Sequence, residues 1–165
     1  ETSAVGLTYL FWELSKRPDL QKELRKELLS LEPAIVYPRS SQSAELPPAK
    51  SIDSLPLLEA IVTETLRLHA PIPGIQPRVT PYPSCSLAGY NNIPPNTRVN
   101  AQAYSLHRNP EVYPDPETWE PKRWLKDCNS LADIEMRRRW FWAFGSGGRM
   151  CVGSNLALQG TIYQV

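Results

Sequence analysis

The chain has 165 residues, which is enough for one ordinary domain with a hydrophobic core. Its 18 lysines and arginines nearly balance its 17 aspartates and glutamates, so no strong field favours nucleic acid or an anionic membrane. No apolar run reaches the roughly 20 residues of a membrane span and no signal peptide opens the chain, so we expect the chain as given to be soluble.

The cysteines argue against two common frameworks of small domains. Cys85, Cys128 and Cys151 are odd in number and far apart. Such a set is not typical of a disulfide framework or of a zinc site built on C-x-x-C pairs. A reducing compartment is the simpler interpretation, and one cysteine is free to have a chemical role.

Helical spacing dominates the first 70 residues. The segment ETSAVGLTYLFWELSKRP predicts a first helix that stops at Pro18, and it opens in mid-pattern, which suggests a longer helix that has been cut. Residues 18–31 predict an amphipathic second helix, 33–53 a surface loop, and 55–70 a third helix. The apolar positions are Val5, Leu7, Leu10, Phe11 and Leu14, then Leu20, Leu24, Leu28 and Leu31, with Glu23, Lys26 and Glu27 on the wet face, then Leu58, Ile61, Val62 and Leu66.

Proline governs the middle of the chain. Eleven of the 17 prolines fall between Pro71 and Pro121, so we expect no helix there. The runs IQPRVT and CSLAGYNNIPPNTRVNA alternate apolar and polar residues and predict the strands of a small, hairpin-rich sheet. Asn91, Asn92 and the turn at residues 94–96 are expected to separate the strands.

The last part of the chain is expected to begin irregular and to end in a helix. From His107 to Gly148 we predict irregular structure, apart from a turn of helix near residues 131–139. A last helix is expected just after Cys151, running to Val165. The predicted fold class is therefore mainly α with a small hairpin-rich β region. Five aromatic residues favour an ordered connection: Trp119, Trp124, Trp140, Phe141 and Trp142.

The segment FGSGGRMCVG, residues 144–153, holds half of the eight glycines. Glycines at 145, 147 and 148 permit positive φ and a close approach of a flat ligand to the backbone. Cys151 lies at the mouth of the last helix, where free amides and the positive dipole end favour a thiolate, and Arg149 adds a cation. By itself the pattern also fits an ordinary Gly-rich turn with a structural cysteine.

Five fixed positions of this segment match F-x-x-G-x-R-x-C-x-G, the cysteine-loop signature of the cytochrome P450 family. They are Phe144, Gly147, Arg149, Cys151 and Gly153. The chain thus resembles a haem-thiolate monooxygenase of the fungal-like eukaryotic type, with haem b as cofactor. The resemblance implies that Cys151 is the iron ligand, that Arg149 pairs with a haem propionate and that Phe144 packs by the cysteine side of the porphyrin. Gly147 and Gly153 complete the implied cofactor-binding loop.

Glu64 and Arg67 form a second pattern on the predicted third helix, where residues three apart can pair. E-x-x-R alone is common on solvated helices. In the family this pair is closed by an arginine from a P-E-R-F-like segment, which here reads PKRW and supplies Arg123. The resemblance therefore implies a buried structural network of Glu64, Arg67 and Arg123. Lys122 and Trp124 depart from the commonest form of that segment.

Three further residues have weaker assignments. Arg78, in IQPRVT, is either a strand-edge cation or, by the resemblance, a partner of the second propionate. His107, in LHRNP, resembles the family's H-R-D-P stretch, whose role is mainly structural. Neither His107 nor His69 has metal-ligand spacing, so we expect both to be core or turn histidines.

Glu1, Thr2 and Ser3 resemble the end of the family's distal-helix motif, A/G-G-x-D/E-T-T/S. In that motif an acid and an alcohol relay protons to dioxygen. The resemblance therefore implies catalytic roles for Glu1 and Thr2. The small residues that precede this motif in the family are not in the chain.

The resemblance covers residues 1–165 as the C-terminal part of the cytochrome P450 fold, from the end of the distal helix to the cysteine-side helix, incomplete at both ends. It implies a parent that inserts one atom of O2 into a small organic substrate. Electrons would come from an NADPH-cytochrome reductase-type donor at the endoplasmic reticulum membrane. Two alternatives stay open: a truncated, non-catalytic chain that does not hold haem by itself, and peroxide-driven or isomerase chemistry without a redox partner.

Overall fold

The computed structural model of the chain describes residues 1–33 and 47–162. Its first part contains helices α1 (Thr2–Ser15), α2 (Pro18–Leu29), α3 (Ala49–Asp53) and α4 (Pro56–Leu68). Proline opens α2 and α4, where its missing N–H leaves no bond unmade. The three helices predicted for this region are confirmed. Among the described helices, none is both long enough and apolar enough to cross a membrane.

The prediction of a loop over 33–53 is wrong at its C-terminal end. Residues 34–46 lie outside the described residues, but Ala49–Asp53 form α3. Ile52 of this short helix is buried in the core. Tertiary burial of one apolar side chain thus overrides the loop-like composition of the segment.

Helix α4 is the centre of the core. It contacts α1, α2, α7 (Ser154–Ile162) and the 3-10 turn at Pro121–Trp124, and it is buried almost along its whole length. The predicted stripe of Leu58, Ile61, Val62 and Leu66 is confirmed as buried. A helix that is buried on several faces is expected at the middle of a domain rather than at its surface.

Helix α1 buries a narrower stripe than its sequence predicts. Leu10 and Leu14 are buried in the core beside α4, whereas Val5 is 41% and Phe11 49% exposed. The apolar spacing therefore predicts the helix correctly, but Val5 and Phe11 lie outside its buried stripe. Within the described residues, α1 contacts α2, α4 and α7.

Glu27 has a different role from the one predicted. Its carboxylate accepts hydrogen bonds from the backbone N–H groups of Leu57 (2.8 Å) and Leu58 (3.0 Å) in the first turn of α4. These amides have no partner inside their own helix, and the positive end of the helix dipole favours a carboxylate there. Glu27 therefore fixes α2 to the start of α4 rather than pointing into solvent.

The β region consists of two antiparallel pairs, one nested inside the other in sequence. Strand β1 (Ile75–Val79) pairs with β4 (Arg98–Gln102), and β2 (Cys85–Leu87) pairs with β3 (Tyr90–Ile93). The predicted hairpin-rich region is thus confirmed. The predicted separator at Asn91 and Asn92 is wrong, because both residues lie within β3.

The turn of the inner hairpin is Ala88-Gly89, where both residues have positive φ, 51° and 85°. A two-residue hairpin turn with positive φ at both positions matches the twist of the strands that it joins. The predicted turn at residues 94–96 is present, and it connects the end of β3 to β4. Asparagine is a usual turn residue, which is why the sequence pattern indicates Asn91 and Asn92.

Three more helices follow β4: α5 (Ala103–Leu106), α6 (Leu131–Trp140) and α7 (Ser154–Ile162). Helix α5 corrects the expectation of no helix between Pro71 and Pro121, since it occupies a proline-free interval and buries Ala103. Helix α6 confirms the predicted helical turn and exceeds it by one residue. The start of α7 just after Cys151 is confirmed, and residues 163–165 lie outside the described residues.

A buried ion network joins α4 to the segment after α5. Arg67 donates from Nε and Nη2 to the two oxygens of Glu64, both at 2.8 Å, and Arg123 Nε donates to Glu64 Oε1 at 2.9 Å. Glu64 and Arg67 are completely buried and Arg123 nearly so. The predicted network of Glu64, Arg67 and Arg123 is confirmed.

Two further donors reach the same carboxylate. Trp124 Nε1 donates to Glu64 Oε2 at 2.9 Å, and the backbone N–H of Glu120 donates to Oε1 at 3.0 Å. Trp124 stands where the family motif has phenylalanine, and its indole supplies an N–H that a phenyl ring lacks. The departure from the motif therefore adds a hydrogen bond to the network, which sequence analysis missed.

Backbone carbonyls balance the second positive charge. One carboxylate faces two guanidinium groups, and the groups not used on Glu64 point at carbonyl oxygens. Arg67 Nη1 donates to His107 O (2.8 Å) and Pro116 O (2.7 Å), and Arg123 Nη1 donates to Pro114 O (3.0 Å). These bonds wrap residues 107–118 around the end of α4, which explains how a segment with little regular structure is ordered.

Replacing Glu64 tests the energetic weight of the network. We expect Glu64→Gln to lower the free energy of unfolding by about 3 to 5 kcal/mol, because two buried guanidiniums lose their counter-charge and an amide N–H group faces their donors. Urea denaturation followed by circular dichroism measures this change.

Glu59→Gln is the matched control on the same helix. Glu59 pairs with Arg138 at 3.2 Å in an exposed position. Its replacement is expected to change the unfolding free energy by less than about 1 kcal/mol. Equal effects of the two substitutions would contradict a dominant role of the buried carboxylate.

Candidate functional site

The segment between α6 and α7, residues 141–153, folds into a closed loop, which we call the cysteine loop. The backbone N–H of Cys151 donates to the carbonyl of Phe144 at 2.8 Å and thereby joins the two ends of the loop. Between them, Gly147–Arg149 form a 3-10 turn, and Met150 N–H donates to Gly147 O at 3.0 Å. The loop is therefore held by its own backbone rather than by a regular element.

Glycine is required at two positions of this loop. Gly145 has φ of +70° and Gly147 of +69°, a conformation that L residues with a side chain rarely adopt. A Cβ at Gly145 would lie 3.1 Å from Gln76 Oε1 and 3.3 Å from Trp142 Nε1, whereas a Cβ at Gly147 or Gly148 meets nothing within 4 Å. One side of the loop thus packs against β1, and the other is open.

Cys151 lies on the open side. Its side chain is exposed, as is that of Arg149, and neighbouring Met150 and Val152 are 49% and 104% exposed. The cysteine carbonyl accepts from Ser154 N–H at 3.3 Å, which places the residue directly before α7. An accessible thiol, an adjacent cation and exposed apolar side chains are together suited to a flat apolar metal complex that bears carboxylates.

All three cysteines are free thiols, as the sequence analysis predicts. Cys128 is exposed like Cys151, and Cys85 is half-buried in β2. Of the three, Cys151 alone belongs to the cysteine loop. Two other predicted loop residues differ in burial. Phe144 is half-buried and packs against the core. Gly153 lies beside the thiol, since a Cβ added at Gly153 would be 4.0 Å from Cys151 Sγ.

Arg78 lies on the face of β1 that meets the cysteine loop. Gln76, two residues before it, accepts from Trp142 Nε1 at 3.3 Å, and residues two apart share a face of a strand. Arg78 is half-exposed, and its Nη1 donates to its neighbour's carbonyl, Pro77 O, at 2.9 Å. The structure therefore brings the strand of Arg78 and the loop of Cys151 together through Gln76, which sequence analysis missed.

Glu1 and Thr2 lie at the N-terminal end of α1, and both are exposed. Helix α1 packs against α7, the helix that follows Cys151. Within residues 1–33 and 47–162, no hydrogen bond or ion pair joins Glu1 or Thr2 to the cysteine loop. The structure brings their helix, but not their side chains, into contact with the cysteine-side helix.

His107 is a core histidine, as predicted, and it also reaches the cysteine loop. Its ring is completely buried and stacks on Phe141 with centroids 5.4 Å apart. Nδ1 lies 2.8 Å from the carbonyl oxygen of Arg67, and Nε2 lies 2.7 Å from the backbone nitrogen of Trp142. Because a carbonyl only accepts and an amide N–H only donates, the ring is neutral, with its proton on Nδ1.

The pKa of His107 reflects this environment. The pKa lies at about 4 instead of the ordinary 6.5, chiefly because burial disfavours the charged ring. The hydrogen bond to the Arg67 carbonyl opposes this shift, and the positive charges of Arg67 and Arg108 contribute to it. The ring is therefore neutral at physiological pH. His69, at the end of α4, is partly exposed, and its Nε2 lies 2.9 Å from Glu13 Oε1.

The lowered pKa predicts a specific loss of stability in acid. Between pH 6.5 and 4 the unfolded chain binds a proton at residue 107 that the folded chain does not, so stability falls as the pH falls. The contribution of this residue between pH 7 and 4 is about 3 kcal/mol. We expect His107→Gln to remove that part of the pH dependence of the unfolding free energy, measured by urea denaturation across this range.

His69→Gln is the control, since the chain has two histidines. This substitution leaves the buried imidazole of His107 in place, so the variant should still lose unfolding free energy as the pH falls. Titration of the carboxylates contributes equally to both variants. A pH profile of His107→Gln that is parallel to that of the unsubstituted chain would refute the assignment.

The glycines of the loop give a graded prediction. Gly148→Ala should be tolerated, and Gly147→Ala should cost about 1 to 2 kcal/mol because of its positive φ alone. Gly145→Ala should cost more than Gly147→Ala, since it adds close contacts to Gln76 and Trp142. Unfolding free energies of the three variants measure the order, and a Gly148 variant as unstable as the Gly145 variant would contradict the geometry.

Comparisons with known proteins agree with the motif and its position in the fold. The family model described as Cytochrome P450 matches residues 1–160. Cytochrome P450 monooxygenase aflV of Aspergillus parasiticus is 36% identical over 94% of this chain, and monooxygenase orf2 of Aspergillus niger is 36% identical over 95%. Cytochrome P450 11B2, mitochondrial, of Mus musculus is 37% identical over 95%.

The chain spans about 28% of the length of the two fungal relatives and 27% of the mouse relative. The matched part includes the cysteine loop, the Glu64 network and the nested β pairs. The fold, mainly α with small antiparallel hairpins, agrees with the C-terminal part of such proteins. The chain belongs to the cytochrome P450 family.

Proposed function

We propose that the protein containing this chain is a haem-thiolate monooxygenase that inserts one atom of O2 into a small organic substrate. The observation that carries the proposal is the accessible Cys151 thiol, in a loop closed by the bond from Cys151 N–H to Phe144 O. All five positions of the cysteine-loop signature are filled around it. Membership of the family implies a haem cofactor, and we propose that it is haem b.

The donor set of the loop fits this cofactor. Cys151 offers one thiolate, a soft ligand suited to haem iron, and Arg149 offers a cation for a propionate. Gly147 and Gly148 leave the open side of the loop free of side chains, so that a flat macrocycle can approach the backbone. Phe144 and Gly153 complete the cofactor-binding set. The Cys151 thiolate would donate electron density to a bound haem iron, which favours cleavage of the O–O bond.

Arg78 is proposed as the partner of the second propionate. It shares a face of β1 with Gln76, whose side chain contacts the cysteine loop through Trp142. It is half-exposed, and it has no carboxylate partner among the described ion pairs. A guanidinium there is free to form a bidentate pair with a ligand carboxylate.

Glu1 and Thr2 are proposed as the residues that move protons to the oxygen being reduced. A carboxyl group and a hydroxyl group at adjacent positions can pass a proton between them and solvent. Both are exposed at the start of α1, which packs against α7. The resemblance of Glu1-Thr2-Ser3 to the distal-helix motif supports the assignment.

The electron donor and the compartment belong to the same proposal. We infer an NADPH-cytochrome reductase-type donor and a place at the endoplasmic reticulum membrane for the whole protein, on the resemblance to eukaryotic members. The mouse relative is named mitochondrial, so imaging of a tagged full-length protein decides between the two compartments. Turnover that proceeds with peroxide alone, and does not respond to the reductase, would favour the donor-independent alternative.

The ligand assignment has a spectroscopic test. A full-length, haem-loaded protein that contains this chain, reduced and exposed to carbon monoxide, is expected to show the red-shifted Soret band of a thiolate ligand. Cys151→Ala should abolish the band, because no other thiol belongs to the cysteine loop. Absorption spectroscopy measures this directly.

Cys128→Ala is the matched control, since Cys128 is also an exposed free thiol. It should leave the band unchanged. A band typical of histidine ligation in the unsubstituted protein would overturn the proposal. The isolated 165-residue chain is expected to lose haem on gel filtration, because Cys151, Met150 and Val152 are exposed to water in it.

A further inference from the structure

His107 connects the ion network of α4 to the first residues of the cysteine loop. Its Nδ1–H donates to the Arg67 carbonyl at 2.8 Å, and its Nε2 accepts from Trp142 N–H at 2.7 Å. The ring is completely buried, so water does not replace either partner. A single side chain thus joins two parts of the fold that are 75 residues apart in sequence, from 67 to 142.

The imidazole is held in place from the side of α4. Arg67 Nη1 donates to the backbone carbonyl of His107 at 2.8 Å, while the His107 ring donates to the backbone carbonyl of Arg67. The two residues therefore bind each other reciprocally, side chain to main chain in both directions. Since Arg67 is itself fixed by two bonds to Glu64, the ring position follows from the buried network.

Trp142 connects the His107 ring to the rest of the cysteine loop. Its N–H is taken by His107, its carbonyl accepts from Gly145 N–H at 3.2 Å, and its indole Nε1 donates to Gln76 Oε1 at 3.3 Å. Two residues further on, the Phe144 carbonyl receives the N–H of Cys151. A fixed Trp142 therefore holds in place the Phe144 carbonyl, which accepts the hydrogen bond from the Cys151 backbone N–H.

We propose that His107 is a positioning residue for Cys151, acting through Trp142 and Phe144. The unprotonated Nε2 sets where the cysteine loop begins and so sets the position of the thiol that binds iron. The inference rests on the proposed function, in which Cys151 is the metal ligand. Alteration of the groups that hold a metal ligand in place commonly changes metal affinity by about 10- to 100-fold.

If His107 served only to fill space in the core, different side chains would be tolerated at position 107. The ring stacks on Phe141 and meets the edge of Tyr113. If shape were sufficient, any side chain of similar size would serve. If the bond to Trp142 matters, the substitute must present an acceptor at the place of Nε2.

Two amide substitutions separate these cases. A glutamine amide reaches the place of Nε2, so His107→Gln can keep the acceptor for Trp142 N–H. An asparagine amide reaches only the place of Nδ1, so His107→Asn can keep the donor to Arg67 but leaves Trp142 unpaired. Both variants are neutral and polar and lose the aromatic ring.

The test uses the full-length, haem-loaded protein, reduced and exposed to carbon monoxide. We expect His107→Gln to retain the red-shifted thiolate band. His107→Asn should shift the ratio of thiolate-type to other carbonyl species by on the order of tenfold toward the latter. Equal spectra of the two variants, whether both retain or both lose the band, would overturn the inference.

The failure of the proposed function is distinguishable from this outcome. If the unsubstituted protein lacks the thiolate band, the ligand assignment is wrong. If that protein shows the band but the variants do not differ from each other, the assignment of Cys151 stands and the role of His107 falls.

Hydrogen exchange supplies a second measurement that needs no variant. The Trp142 amide of the folded, unsubstituted protein should exchange slowly, since its proton is held by a buried acceptor. Exchange of this amide as fast as that of an exposed loop residue would also overturn the proposal. The result does not depend on whether His107→Asn folds.

Discussion

The carboxylate of Glu64 is the group on which the rest of the structure depends. It lies out of reach of water in the central helix and accepts five hydrogen bonds, from two arginines, one tryptophan and one backbone amide. A buried charge of this kind is tolerated only when every neighbour is in place, so it imposes one arrangement on several segments at once. Removing one partner is costly for the same reason, because the remaining buried charges then lose their compensation.

That order reaches the cysteine loop in discrete steps. Arg67 and His107 bind each other's main chains, His107 receives the amide of Trp142, and Phe144 receives the amide of Cys151. Arg67 and His107 are completely buried, so their polar groups depend on these protein partners. The thiol can thus lie on an exposed, glycine-rich surface and still have a defined position. Accessibility for a ligand and rigidity of the backbone are supplied by different parts of the fold.

Sequence patterns predicted the long helices because their apolar spacing is strong, and they predicted the Glu64 network and the cysteine loop because the resemblance fixed the residues. They failed where tertiary contacts decide. Burial of Ile52 stabilises helix α3 in a segment whose composition predicts a loop. Glu27, which the sequence pattern places on a solvent-exposed face, accepts hydrogen bonds from two backbone amides of α4. The inner hairpin turns at Ala88-Gly89 rather than at the asparagines, because register is set by pairing across the strands.

The candidate site shows the same division. A motif finds the five signature residues because they lie within ten positions of the chain, and the structure adds only their geometry. They are Phe144, Gly147, Arg149, Cys151 and Gly153. Gln76, His107 and Trp142 act across long sequence separations, and their polar atoms carry no local pattern that reveals a partner. Two local sequence features point to this region, the HRNP stretch and the aromatic residues 140–142 at the start of the cysteine loop. Both predict ordered structure rather than a specific hydrogen bond.

Glu64 and Arg123 are 59 positions apart in sequence, which has a consequence for how the chain is made. During synthesis, α4 emerges before the arginine that completes its network, and at about 5 to 20 residues per second this interval lasts roughly 3 to 12 s. During this interval Glu64 and Arg67 must stay hydrated, so the central helix cannot yet be buried in the core. The cysteine loop emerges later still, so the thiol cannot reach its final position before the residues of the Glu64 network have been synthesised.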